Sequence, residues 1–339
     1  MATAGFDSAV RFTVLGAGSI GRRHLANAVA LGHGIAAVHD PDAARLAEIP
    51  GGGAVLTTSE GEALAVDADV VLVCSPTAAH VGQARAAVAA GRHVLIEKPL
   101  SHTLDGVDAL VAEAAAARRT VLVGCNLHFL PSLRLVKRLL SEGRIGTPLA
   151  ARAHCGYYLP HWRPQTDYRR GYAARQATGG GIILDSIHEF DYLRWLLGEP
   201  REVFCYAGKL STLEIDTEDS ADILLRFDYG AVANVHLDYL QRTYRRSCEL
   251  IGEDGVIVWD YISQLVRVYG KEDRRAEDYE ESINAERNLM YVEELRHLVD
   301  CIEGGASPEL DAAGGRTVLA MALAAKRSAV EGRPLRLGE

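Results

Sequence analysis

Two charged side chains stand where an apolar run ends. His93-Val94-Leu95-Ile96 is short and of β type, and Glu97-Lys98-Pro99 follows it directly. Pro99 stops a strand ladder by removing a backbone donor. In a chain that opens with a nucleotide-binding signature, an ammonium at this place could face a cofactor, which makes Lys98 a candidate reaction-centre residue. A second set lies in Gly179-Gly180-Gly181-Ile182-Ile183-Leu184-Asp185-Ser186-Ile187-His188-Glu189-Phe190-Asp191. Ser186 and Glu189 have the spacing of a capping box, which predicts a helix running to Leu197 and stopping at Gly198. Ile187, Phe190, Leu193 and Leu197 would form its apolar stripe, with His188, Tyr192 and Trp195 on another face. With Ser186 as cap, Asp185 is left for another task. His188 falls in the first turn, where the helix dipole disfavours imidazolium, and a neutral imidazole can take a proton from a hydroxyl. The alternative makes Asp185 the N-cap and His188 a first-turn surface residue.

The signature is Gly16-Ala17-Gly18-Ser19-Ile20-Gly21, with a β-type run before it and a helical pattern after it. Gly16 permits the turn, Gly18 lets backbone approach a pyrophosphate, Gly21 allows close helix–strand packing, and the phosphates rest on a helix N-terminus. Asp40 ends the second strand 19 positions after Gly21, where an acid binds ribose hydroxyls and repels a 2′-phosphate. NAD is therefore expected over NADP. Otherwise the glycines form an ordinary turn and Asp40 caps the helix that Pro41 opens. Ser75, Pro76, Thr77 and His80 follow the apolar run Val70–Cys74 and would lie beside the cofactor crevice. Taken alone, Ser75, Thr77 and His80 read equally as turn and cap residues.

The elements that must position these groups alternate over the first 125 or so residues. Strands are expected at 11–15, 35–39, 70–74, 93–96 and 121–123, and helices at 20–31, 41–48, 79–90 and 104–118. Such alternation implies a parallel, doubly wound α/β sheet. After Asn126 a helix at 132–142 and the one beyond Asp185 are joined by strand-like segments at 202–206, 220–228, 231–239, 246–251 and 255–261. These predict an open, mostly antiparallel sheet in an α+β domain. Helices at 288–303 and 314–331 close the chain and are expected to pack back towards the first domain. The expected domains are 1–126 and 127–339.

The composition of the 339 residues narrows the function classes. With 48% apolar and 24% charged residues the chain is of ordinary globular type. A net charge of −9 without a basic face argues against nucleic acid. The six cysteines form no Cys-x-x-Cys pair, so neither a zinc site nor a disulfide framework is expected. No stretch has the length of a membrane span and the N-terminus lacks a signal-peptide pattern, so a cytoplasmic protein is expected.

Gly16 to Gly21, Glu97-Lys98-Pro99 and the Gly-Gly-Gly…Asp185…His188…Asp191 segment, in that order, resemble the Gfo/Idh/MocA (glucose–fructose oxidoreductase/inositol dehydrogenase) family. The resemblance extends to Gly124-Cys125-Asn126 and to Glu142-Gly143-Arg144-Ile145-Gly146. It implies a Rossmann domain followed by a sheet domain that often forms an oligomer interface, hence a homodimer or homotetramer. It implies cofactor contacts from the glycine loop, Asp40, Ser75, Pro76, His80, Glu97 and Asn126, with Trp162 and Arg163 reaching the nicotinamide end of the pocket. Lys98 matches the catalytic lysine, Pro99 a position where the peptide bond is often cis, and His188 the catalytic histidine. Asp185 resembles the acid that pairs with the histidine or holds a substrate hydroxyl, although it stands three positions before His188 where many members have four. His128 stands where an arginine is common. The implied reaction is hydride exchange between NAD and a secondary alcohol of a sugar, cyclitol or sugar derivative, without a metal. Two other functions are compatible with the same residues: an NAD-dependent glycosidase or lyase with transient oxidation, and a regulator that binds cofactor without turnover.

Overall fold

The structure, a computed structural model, describes residues 9–50, 52–271, 276–279 and 286–338. The chain divides into two compact units. The first comprises residues 1–124 and 291–316, and the second 125–290 and 317–339.

In the first unit the chain alternates as expected: β1 (Arg11–Leu15), α1 (Ser19–Ala30), β2 (Gly34–His39), α2 (Ala43–Ala47), β3 (Val55–Thr57), α3 (Glu60–Ala65), β4 (Val70–Val73), α4 (His80–Ala89), β5 (His93–Glu97), α5 (Val107–Ala117) and β6 (Val121–Gly124). The strands form one six-stranded sheet in the order β3-β2-β1-β4-β5-β6, every pair parallel. Strand order reverses between β1 and β4, which opens a crevice at the carboxyl ends of those strands. β4 and β6 are buried at every position, as apolar runs covered on both faces must be. β3 and α3 were not expected. With Val55 and Leu56 both exposed, three residues carry too little apolar pattern to announce a strand. α5 begins at Val107, after Gly106, rather than at Leu104.

The second unit carries a nine-stranded sheet with β7 (Pro148–Gly156), β8 (Pro200–Gly208), β9 (Ser220–Phe227), β10 (Val232–Asp238), β11 (Arg245–Gly252), β12 (Gly255–Asp260), β13 (Leu265–Gly270), β14 (Ala276–Tyr279) and β15 (Leu335–Arg336). Its order is β14-β13-β12-β11-β7-β10-β9-β8-β15, antiparallel except for the β7–β10 pair. The α-helices that follow β6 in the described chain are α6 (Pro131–Ser141), α7 (Leu159–Trp162), α8 (Ile182–Asp185), α9 (His188–Leu197), α10 (Leu289–Ile302) and α11 (Ala312–Glu331). On one face of this sheet α6 packs against β12 and β13, α8 against β9 and β10, and α9 against β7. Alternation along the strands leaves the other face with exposed Arg152, Leu224 and Asn234.

Most of α10 belongs to the first unit, where Leu295, Leu298 and Val299 share a core with Phe12, Val14, Leu72, Leu95 and Leu122. The expected fold class, a doubly wound parallel sheet plus a mostly antiparallel one, is the one observed. Among the described residues no helix is long and apolar enough to cross a membrane. All six cysteines are free and buried.

Candidate active site

In the first unit the glycine loop joins β1 to α1. Gly16 has φ 102°, and a Cβ on it would stand 2.6 Å from the Cys74 carbonyl oxygen. A Cβ on Gly21 would fall 1.9 Å from the Gly16 oxygen. Neither position admits a side chain. A Cβ on Gly18 would meet nothing within 4 Å, so backbone is left open to a ligand at the start of α1, beside exposed Ser19 and half-buried Ile20. This cradle fits a pyrophosphate. Asp40 lies just past β2 and is buried. Its Oδ2 accepts the Ala17 N–H at 2.9 Å and its Oδ1 the Asp42 N–H at 2.9 Å, while Arg45 Nη1 stands 3.4 Å from Oδ2. The acid thus ties the glycine loop to the second strand. Arg45, on the helix after Asp40, was not foreseen.

Lys98 follows β5 and is half-buried, and its peptide bond to Pro99 is cis, as the resemblance implied. Its N–H donates to Glu97 Oε2 at 3.2 Å, and Glu97 Oε1 lies 2.7 Å from His24 Nε2. His80 is buried between two backbone carbonyls, with Nε2 2.9 Å from Ser75 O and Nδ1 2.9 Å from Pro99 O. Burial pushes its pKa down, with the two carbonyls opposing. Ser75 is half-buried and its Oγ donates to Gln83 Oε1 at 2.5 Å, Pro76 is exposed, and Thr77 is buried in a 3-10 turn. Two residues near Glu97 carried no sequence signal: His24 on α1 and Glu294 on α10, both wholly buried. Among the described residues, neither Glu294 carboxylate oxygen has a hydrogen-bond partner. Burial, and then the charge of Glu97, push its pKa well above the usual carboxylate range.

In the second unit the capping box does not form. A short helix, α8, ends at Asp185, and α9 starts at His188 with Ile187 at the N-cap position and no side-chain cap. Ser186 Oγ donates to Cys155 Sγ at 3.6 Å. Glu189, wholly buried, pairs with Arg246 of β11, Nε to Oε1 2.8 Å. A buried carboxylate needs a cation more than a helix start needs a second cap, so the long-range partner wins. α9 is buried on nearly every side instead of along one stripe.

Asp185 is the centre of a tyrosine cluster that the sequence did not reveal. Tyr157 and Tyr239 donate to Oδ2, the latter at 3.2 Å, and Tyr172 donates to Oδ1. Burial, and then the Asp185 charge, push the Tyr157 and Tyr239 hydroxyls well up, so both remain donors. Tyr157 also stacks on Trp162, centroids 4.4 Å apart, and Trp162 contacts Tyr244. Trp162 and Arg163 are exposed and Asn126 is buried in a 3-10 turn. His188, also buried, has donor atoms of Cys125 and Asp191 near it, the three within 4.8 Å of one another. His128, where an arginine is common, bonds Asp191 Oδ2 at 2.8 Å and packs on Trp195.

The chain has known relatives. The family model described as an oxidoreductase family with an NAD-binding Rossmann fold matches residues 10–125, and that of the GFO/IDH/MocA C-terminal domain matches residues 133–258. The chain is 32% identical over 280 residues to a myo-inositol 2-dehydrogenase from Thermotoga maritima, covering 80% of each. It is 30% identical to a 1,5-anhydro-D-fructose reductase from Ensifer adhaerens, over 95% of this chain and 97% of the relative. The fold is shared with the WlbA dehydrogenase of Bordetella pertussis, solved with NADH and UDP-GlcNAcA, at a TM-score of 0.86, 24% identity and coverage of 98% and 99%. It is shared equally with a levoglucosan dehydrogenase solved with NADH and levoglucosan, TM-score 0.86 at 20% identity, with coverage of 98% and 100%. The chain belongs to the Gfo/Idh/MocA family of NAD-binding oxidoreductases.

Proposed function

We propose that this chain exchanges a hydride between NAD and a secondary alcohol of a sugar or cyclitol. The observation that carries the reading is Lys98: a half-buried ammonium-bearing residue at the carboxyl end of a central parallel strand. The kinship with a myo-inositol 2-dehydrogenase supports the substrate class.

Bound NAD⁺ supplies the hydride acceptor. Gly16, Gly18, Ser19, Ile20 and Gly21 would hold its pyrophosphate, Asp40 would bind its ribose hydroxyls, and Ser75, Pro76, Thr77, Glu97, Asn126, Trp162 and Arg163 would complete the cofactor contacts. His80 is a positioning residue, since it ties the Ser75 loop to the peptide that follows Lys98. Lys98 hydrogen-bonds the reacting oxygen, and its charge stabilises alkoxide character as the hydroxyl proton leaves. His188 takes that proton and returns it in the reverse direction. Asp185 orients the polar wall of the substrate site through its tyrosines.

Lys98→Ala should lower turnover by about 10²–10³-fold, the size expected for one lost oxyanion donor, with little change in NADH affinity. The assay is NADH formation across a panel of inositols, sugars and nucleotide sugars, with NADP⁺ for comparison. Near-normal turnover of the variant would reject the role of Lys98, and a strong NADP⁺ preference would reject that of Asp40.

A further inference from the structure

We propose that His154, His236 and Asp238 form a binding site for a zinc-class divalent transition-metal ion on the face of the nine-stranded sheet turned away from its helices. The site follows from strand register. β7 and β10 pair in parallel with His154 opposite His236 and Gly156 opposite Asp238, and β9 places Asp222 opposite His236. Residues two apart share a face, so His236 and Asp238 point the same way, towards His154.

The donor atoms converge. Asp238 Oδ2 lies 3.3 Å from His236 Nε2 and 3.8 Å from His154 Nε2, and all three lie within 4.8 Å of one another. Bonds of about 2.0–2.1 Å in a tetrahedral shell set donors about 3.3 Å apart, so small side-chain shifts close the site. Asp238 is held for the purpose: its Oδ1 accepts the Leu240 and Gln241 N–H groups at 2.7 and 2.6 Å, which leaves Oδ2 facing the imidazoles. His154 Nε2 is shielded from solvent and, among the described residues, has no hydrogen-bond partner, with Asp238 Oδ2 at 3.8 Å too distant to be one. His236 Nδ1 bonds Asp222 Oδ1 at 2.7 Å, the carboxylate–histidine arrangement that orients metal-ligating imidazoles.

Room for the ion exists because position 156 is glycine. A Cβ there would stand 2.4 Å from Asp238 Oδ2, 2.8 Å from Gln241 Oε1 and 3.0 Å from His154 Nε2. Gln241 therefore borders the same space with a further oxygen. The site opens on a depression of about 430 Å³ lined by Arg152, Asn234, Ser247 and Glu249 besides the two histidines. Two imidazoles with one carboxylate suit zinc and its neighbours better than calcium or magnesium, which prefer oxygen alone. Asp238 and Asp222 push the His236 pKa up to about 9, so a proton competes with the ion. The two other clusters of donor atoms among the described residues differ. Cys125–His188–Asp191 contains the proposed base, and in His24–Glu97–Glu294 burial holds the proton on Glu294.

The test is titration of the tag-free, chelator-treated full chain with Co²⁺ at pH 8, followed by displacement with Zn²⁺ and a metal count after dialysis. The expected result is one equivalent per chain with the visible bands of four-coordinate Co²⁺, lost on Zn²⁺ addition. His154→Gln and His236→Gln should each abolish the bands while retaining the parent's circular-dichroism spectrum and cooperative melting, which report an intact fold. Asp222→Asn should weaken affinity about tenfold through the outer shell. Absence of uptake, or bands that survive in either histidine variant, would overturn the assignment.

Discussion

Each unit buries carboxylates, and each deals with them differently. In the second unit, Asp185 accepts three tyrosine hydroxyls and Glu189 faces the Arg246 guanidinium. In the first, Glu97 bonds His24 and the Lys98 N–H, while Glu294 lies wholly buried on α10 with no hydrogen-bond partner among the described residues. Burial disfavours the charged form of Glu294 and the Glu97 charge beside it disfavours it further, so Glu294 keeps its proton. Burial can therefore be satisfied by partners or by neutralisation. The two solutions respond oppositely to mutation: a group held by partners is costly to orphan, and a neutral one is cheap to replace.

The sharpest break of this contrast is Glu189→Leu, which strands Arg246. It should cost about 3–5 kcal/mol in denaturant unfolding, as loss of one member of a buried ion pair does. A cost below about 1 kcal/mol would mean that Glu189 is not held as a charge. Next is Tyr157→Phe, which removes one hydroxyl from Asp185 and should cost about 1.5–3 kcal/mol, the range for a hydrogen bond to a charged group. Tyr239→Phe, with its 3.2 Å bond, should cost less. A reversed order would show that ring packing, not the hydroxyl, fixes the cluster.

Glu294→Gln should have the smallest effect and the opposite sign. Its folded pKa is raised, so between the unfolded value near 4.5 and the folded one the unfolded chain has fewer protons bound. Stability then falls as pH rises through that window, and the amide is exempt from the loss. The variant should melt a few degrees higher than the parent at pH 8 and show little difference at pH 4. A variant less stable than the parent at pH 8 would erase the contrast between the units.

The contrast also marks what could be read in the amino-acid order. Gly16 to Gly21, Asp40 and Glu97-Lys98-Pro99 were legible because each is a local signal: a turn with no room for Cβ, an acid after a strand, a charge after an apolar run. The parallel sheet was legible from alternation. The Asp185 cluster was not. Tyr157 and Tyr239 follow β7 and β10, and only the parallel pairing of those strands makes them neighbours. The capping box at Ser186 and Glu189 is a local signal that a distant residue, Arg246, overrode. His24 and Glu294 look like ordinary helix polar residues until α10 is placed against the first sheet.

That placement of α10 has a consequence for how the protein is made. The first unit is not a continuous stretch of chain: its core takes Leu295, Leu298 and Val299 from a segment that follows the whole nine-stranded sheet except β15. A growing polypeptide that has just delivered β6 has all six parallel strands but lacks the apolar residues that complete their core. The nucleotide-binding half, although encoded first, finishes folding only once residues 291–316 have been delivered.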